Sequence, residues 1–195
     1  MERQAVSSRT TKETDITIKL NILHDKAGSF SGGCGIGFFD HMLNAFAVHG
    51  GFDIELSCKG DLEVDGHHTV EDIGIVLGSA FAEALSARIG IARFGTAFVP
   101  MDEALSRAVV DISGRAFLVF DADFKNDVVG AFDTCLAVEF FRAFAFGAKL
   151  TMHIKNEYGD NDHHKLESIF KATAKAIAAA VKVVGDEVPS TKGIL

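Results

Sequence analysis

A chain of 195 residues with 48% hydrophobic and 24% charged residues is long enough for one domain of ordinary size or two small related halves, and too apolar for disorder. Its formal net charge of −8 argues against non-specific nucleic-acid binding, although a local basic patch can still hold a small anion. No stretch reaches the ~18 unbroken apolar residues of a membrane span, the polar start MERQAVSSRTTKETD has no secretory h-region, and Cys34, Cys58 and Cys135 form no CxxC pair, so a reducing, cytoplasmic compartment is expected.

In chain order, alternation predicts a strand over residues 15–22. An apolar helical stretch carrying His41 follows. Residues 52–56 alternate again, and behind His67 an alanine-rich pattern predicts a long helix over 73–87. The same series then recurs. Residues 107–112 alternate, a Ser113-Gly114 turn leads to a strand over 116–120, and an apolar helical stretch carries Glu139. Residues 149–154 read as a strand, and 169–184 as a second alanine-rich helix.

A repeat organises these elements. His67-His68-Thr69-Val70-Glu71 and His163-His164-Lys165-Leu166-Glu167 both read HHxxE, and each follows an Asp-containing polar turn. Ala45-Phe46-Ala47 matches Ala143-Phe144-Ala145 with a two-residue gap relative to the HHxxE alignment. Residues 1–95 form the first repeat, and 96–195 the second with a C-terminal tail. Each half reads as strands, a short helix, one more strand and a long helix. Packing alone requires a repeated core pattern, but not a second HHxxE.

Imidazole nitrogen and carboxylate oxygen suit borderline divalent ions. At a helix start the first His and the Glu share a face, while the second His is rotated by about 100°. One motif is therefore poorly shaped to enclose one ion and well shaped to serve two. His41 aligns with Glu139, each a polar intrusion in an apolar helix that demands a partner. The candidate ligands are His41, His67, His68, Glu71, Glu139, His163, His164 and Glu167. A single HHxxE is more often a helix N-terminus with solvated histidines; its duplication with two aligned intrusions favours metal. Among the other histidines, His24 reads as solvated and His153 as structural, whereas His49 is either a site member or a surface residue.

Gly35-Ile36-Gly37-Phe38-Phe39-Asp40-His41-Met42-Leu43, both HHxxE motifs, Ile91-Ala92-Arg93-Phe94-Gly95, Ser113-Gly114-Arg115 and Pro189-Ser190-Thr191-Lys192-Gly193 together resemble the imidazoleglycerol-phosphate dehydratase family of histidine biosynthesis. The resemblance runs from Lys12 to Lys192. It implies an α+β fold of two ribosomal protein S5 domain 2-like repeats, with helices packed between two four-stranded mixed sheets. It also implies two Mn²⁺ per subunit, held at subunit interfaces of a 24-subunit shell. The substrate would be a small phosphate ester, imidazole glycerol phosphate, dehydrated to imidazole acetol phosphate through an imidazolate and a diazafulvene.

By the same resemblance Glu13 is the expected general base, although Lys-Glu-Thr alone reads as a solvated turn. Glu71 and Glu167 are the alternative carboxylates for proton transfer. Arg93, Arg115, Lys171, Ser190, Thr191 and Lys192 are expected around the phosphate, with His41, His49, His67 and Glu71 also facing substrate. One departure stands out: Glu139 occupies a position where some family members have His, which predicts a more anionic ligand field. Two other readings compete, a binuclear phosphoesterase and a protein whose ions only staple subunits together. The first sits poorly with a donor set dominated by imidazole, and the second gives no reason for the Arg and Lys set.

Overall fold

Side-chain alternation decides the strands. The computed structural model describes residues 3–23 and 26–192; His24 and residues 193–195 lie outside them. β1 (Gln4–Thr10) pairs antiparallel with β2 (Thr14–Ile22). In β2 the side chains of Ile16, Ile18, Leu20 and Ile22 are buried while Asp15 and Lys19 are exposed, so one face has to be covered. After β3 (Ser29–Gly33), α1 (Gly37–Gly50) leads to β4 (Phe52–Gly60), and α2 (His67–Leu85) completes the half. β4 pairs antiparallel with β2 and parallel with β3.

The second half repeats this with β5 (Phe94–Met101), β6 (Ala104–Asp111) and β7 (Phe117–Asp121). A small hairpin of β8 (Val128–Val129) and β9 (Phe132–Asp133) precedes α3 (Leu136–Ala148), β10 (Thr151–Tyr158) and α4 (Asp162–Val181). The sheet orders are β1-β2-β4-β3 and β5-β6-β10-β7. These are one topology used twice, an α+β fold of two mixed four-stranded sheets with four helices. Register makes the correspondence residue by residue: Ile18 pairs with Leu56 as Ala108 pairs with Ile154. Glu13 before β2 therefore corresponds to Glu103 before β6.

The helices join the halves. α2 packs on β1 and β2 but takes α3 as its helical neighbour, and α4 packs on β5 and β6 but takes α1. One continuous core results. Phenylalanine dominates it: the ring of Phe39 on α1 lies 5.2 Å from that of Phe140 on α3, and Phe170 on α4 lies 4.7 Å from Phe141. Such rings supply large apolar area without a polar atom that needs a partner. Between α2 and α3 the backbones themselves approach. A Cβ at Gly78 would stand 2.5 Å from the Phe144 carbonyl oxygen, and one at Gly147 would stand 2.7 Å from that of Ile75.

Three expectations shift. Both long helices begin at their HHxxE and end early, at Leu85 and Val181 rather than at 87 and 184. Ser86 and Arg88 adopt positive φ, 48° and 56°, which stops α2. Beyond Val181 the chain runs beside residues 90–92 instead: Val183 bridges Ile91, and the Gly90 N–H donates to the Glu187 carbonyl. Gly90 has φ +69°, and a Cβ there would meet the Gly185 carbonyl oxygen at 2.0 Å, so only glycine fits. A division at 95/96 falls inside β5, and the passage between the sheets is 86–93. Among the described residues no helix is long and apolar enough to cross a membrane.

Gly78→Ala tests the close crossing. In an open helix face the change would stabilise by up to ~1 kcal/mol; here overpacking should destabilise by about 1–3 kcal/mol in urea unfolding. A stabilised variant would mean that the helices do not meet backbone to backbone.

Candidate metal and substrate site

The cross-repeat pairing of α1 with α4 brings together what one motif cannot. Asn161 caps α4, its side chain accepting from the His163 and His164 N–H groups, so the motif is held in the first turn. His163 Nε2 lies 3.1 Å from Glu167 Oε2 one turn on, and His41 Nε2 reaches the same oxygen at 3.5 Å from α1. The three donor atoms lie within 4.8 Å of one another. Lys171 Nζ sits 2.6 Å from the other Glu167 oxygen. Burial would push the Glu167 carboxyl up, but Lys171 and His163 outweigh it and hold it below its ordinary value. Two imidazoles and one ionised carboxylate converge, a set suited to a borderline divalent cation.

The other half is less complete. His67 Nε2 lies 3.5 Å from Glu71 Oε2. Glu139, in the first turn of α3, gives its carboxylate to Arg142 Nη1 three residues on. Among the described residues no second triad forms. The counterpart of Arg142 behind His41 is the uncharged Asn44. The acid of this half is thus already paired with a base of its own helix, whereas the other half has Asn44 behind His41.

The second histidine of each motif turns elsewhere, as the helical rotation requires. The rings of His163 and His164 are inclined by 78° and those of His67 and His68 by 72°. His68 Nδ1 lies 3.0 Å from Asp61 Oδ2, and its Nε2 faces Glu13 at 3.7 Å. His164 Nδ1 lies 2.7 Å from Glu103 Oε2, and its Nε2 faces Asp102 at 3.7 Å. A carboxylate at Nδ1 keeps the proton there and leaves Nε2 as the lone-pair donor of the neutral ring. The hydrogen bonds from Asp61 and Glu103 raise the pKa values of these two histidines. Backbone N–H donation from Asn161, with His164 next, pushes Glu103 down to about 2.

Glu13 is exposed in the β1–β2 turn, where Thr11 Oγ1 accepts from its N–H. His49 lines a cavity of about 460 Å³ with Lys26, Lys175 and Lys182. Burial first, then Lys171 and Lys175, lower its pKa. Arg115 is exposed beyond the Ser113 turn, its Nη1 donating to the Ser113 carbonyl. Arg93 is already engaged: Nε and Nη2 donate to Asp111 at 2.7 and 3.2 Å, and Nη1 to the Pro189 carbonyl at 2.9 Å. Lys192 N–H donates to Ser190 Oγ within the tail, where Thr191 is exposed. His153 lies on the outer face of β10, exposed. Arg142, three residues after Glu139, is open to sequence reading as an ion-pair partner for that acid, but Asp61, Glu103 and Asp111 are not among the residues singled out from sequence. Glu103 is picked out only by the strand register that matches it to Glu13.

Comparison with known proteins gives the chemistry a frame. The imidazoleglycerol-phosphate dehydratase family matches residues 34–177. The enzyme of that name from Lacticaseibacillus casei is 53% identical over 99% of this chain and 100% of its own length, and that from Methanosarcina mazei is 54% identical over 96% and 97%. A solved structure from Pyrococcus furiosus, in complex with (S)-C348, has a TM-score of 0.82 at 40% identity, covering 96% of this chain and 99% of that one. The Staphylococcus aureus enzyme gives 0.79 at 39%, covering 92% and 99%. The chain belongs to the imidazoleglycerol-phosphate dehydratase family.

Proposed function

We propose that this chain carries out a metal-dependent dehydration of imidazole glycerol phosphate to imidazole acetol phosphate in histidine biosynthesis, in the cytoplasm. The observation that carries the reading is the convergence of His41 from one repeat with His163 and Glu167 from the other. Those three residues would hold one divalent ion; Glu139, His67 and Glu71 would hold a second once Arg142 releases the carboxylate. The mixed imidazole and carboxylate set suits a borderline divalent ion, and the choice of Mn²⁺ rests on the family resemblance. His68 and His164 reach neither group of their own chain and are oriented for donation at Nε2, which suits ligation across a subunit contact in a 24-subunit shell. Exposed Phe94, Phe98 and Phe117 on the outer face of the second sheet offer apolar area for such contacts.

Divalent ions bound there would stabilise a deprotonated imidazole ring, from which the neighbouring hydroxyl leaves more easily. The chain itself does the rest. Glu13, exposed beside His68, would take the proton from the carbon next to the one that loses its hydroxyl. Glu71 and Glu167 are the alternative proton carriers. Lys171, Arg115 and Lys192 offer cationic donors for the phosphate, with Ser190 and Thr191 hydroxyls and the N–H groups that Arg93 keeps free. His41, His49, His67 and Glu71 line the approach of the ring.

Incubating the protein with Mn²⁺ and imidazole glycerol phosphate should yield imidazole acetol phosphate with no free phosphate; released phosphate would favour a phosphoesterase instead. Glu139→Ala should lower metal content from two ions toward one per chain, and Arg142→Ala should tighten binding of that ion. Full metal content in the Glu139→Ala protein, with a stability loss of only ~0.5 kcal/mol, would assign Glu139 to the ion pair alone. Strong chelation should lower the particle's mass in solution, because interface ligands link assembly to metal. A large particle free of metal would separate the two.

A further inference from the structure

Arg93 is tied down more completely than a ligand-binding arginine needs. Its φ is +70°, a conformation a side chain rarely adopts unless its surroundings enforce it. Both backbone groups are used: its N–H donates to the Ala180 carbonyl and its own carbonyl accepts from Ile112. The guanidinium stacks 4.7 Å from the centre of the Phe94 ring, while Asp111, which pairs with Phe94 across the sheet, chelates it through both oxygens. Both side chains are mostly buried, at 16% and 20% exposure, so the pair is screened less than a surface bridge.

The third engaged donor leaves the sheet. Arg93 Nη1 donates to the Pro189 carbonyl at 2.9 Å. Among the described residues this is the one hydrogen bond that joins residues 188–192 to the body; Ser190 and Lys192 otherwise bond within the tail, and the backbone bonds from the segment after Val181 to residues 90–92 stop at Glu187. A guanidinium has five N–H groups, so two stay free on a fork whose orientation Asp111 fixes. The fork cannot swing to an external anion without dropping either Asp111 or the tail.

We propose that Asp111 is a positioning residue for phosphate capture: it locks the Arg93 fork, and the locked fork fixes the tail at Pro189, so that the tail's Ser190 and Lys192 meet the same anion as the two free N–H groups. This rests on the proposed function only for the identity of that anion. The latch itself is a statement about Asp111, Arg93 and Pro189. Bonds to residues 90–92 hold the chain as far as Glu187, and the latch gives residues 188–192 one further fixed point.

The test is Asp111→Asn, which keeps the shape and removes the charge, with Arg93→Lys as a second variant, since a single ammonium cannot chelate Asp111 and reach Pro189 together. Two quantities are read. Hydrogen exchange of the peptide covering 183–192, without ligand, should quicken in both variants. Affinity for a triazole phosphonate should fall by about tenfold or more, while affinity for plain 1,2,4-triazole and metal content stay unchanged. Unchanged tail exchange would overturn the latch. Faster exchange with undiminished phosphonate affinity would overturn the positioning role. If the phosphonate failed to bind the parent protein, the proposed function would fail, and the exchange measurement would still decide the latch.

Discussion

Two adjacent histidines at the start of a helix cannot close on one ion, because successive side chains diverge by about 100°. The rest of the site follows from that constraint. His163 and Glu167, one turn apart, leave a third donor to be supplied from outside α4, and His164 is left facing elsewhere. The outside donor is His41, and it comes from the other repeat. A duplicated unit in which each long helix lies against the short helix of its partner half solves the problem twice over in principle. The core that enforces this crossing is a set of Phe rings shared between α1, α3 and α4.

The two solutions are not alike. α2 and α3 approach through Gly74, Gly78 and Gly147, whereas the positions matching Gly74 and Gly78 on α4 are Phe170 and Ala174. Helices separated by a phenylalanine ring leave different room for side chains than helices in backbone contact. Polar chemistry differs in the same places. Glu167 is held ionised by Lys171 and faces two imidazoles, while Glu139 faces Arg142. One pocket is preorganised in the isolated chain, and the other has an ion pair to open first. Preorganisation of a ligand set lowers the cost of binding, so the two positions should fill in sequence, His41 with His163 and Glu167 first.

Much of this was legible in the residues. HHxxE, repeated with an Asp-containing turn before each copy, marked the duplication and the helix starts, and with the aligned intrusion His41 it marked the three side chains that the fold brings together, His41, His163 and Glu167. The strands read from alternation lie inside the observed β2, β4, β6 and β10 or overrun their ends by no more than two residues. What escaped was set by tertiary partners. The polar β1 has no apolar alternation, and β3 is too rich in Gly and Ser to announce a strand. The end of α4 was overestimated because apolar Val183 and Val184 continue the pattern past Val181, while backbone bonds to Gly90 take the chain away. Asp61 and Asp111 are two among many acids, and only the folded register picks them out. Arg93 read as a free phosphate ligand, although most of its donors are already committed, a fact that depends on Pro189 arriving from far along the chain.

The central claim is that two repeats deliver two mixed imidazole and carboxylate centres per chain. The most direct measurement is a Mn²⁺ titration of the metal-free protein, followed by calorimetry and elemental analysis. The account predicts two ions per chain in two resolved steps, with the tighter step abolished by Glu167→Gln and the weaker one retained. A single step with one ion per chain, or binding indifferent to Glu167, would contradict it.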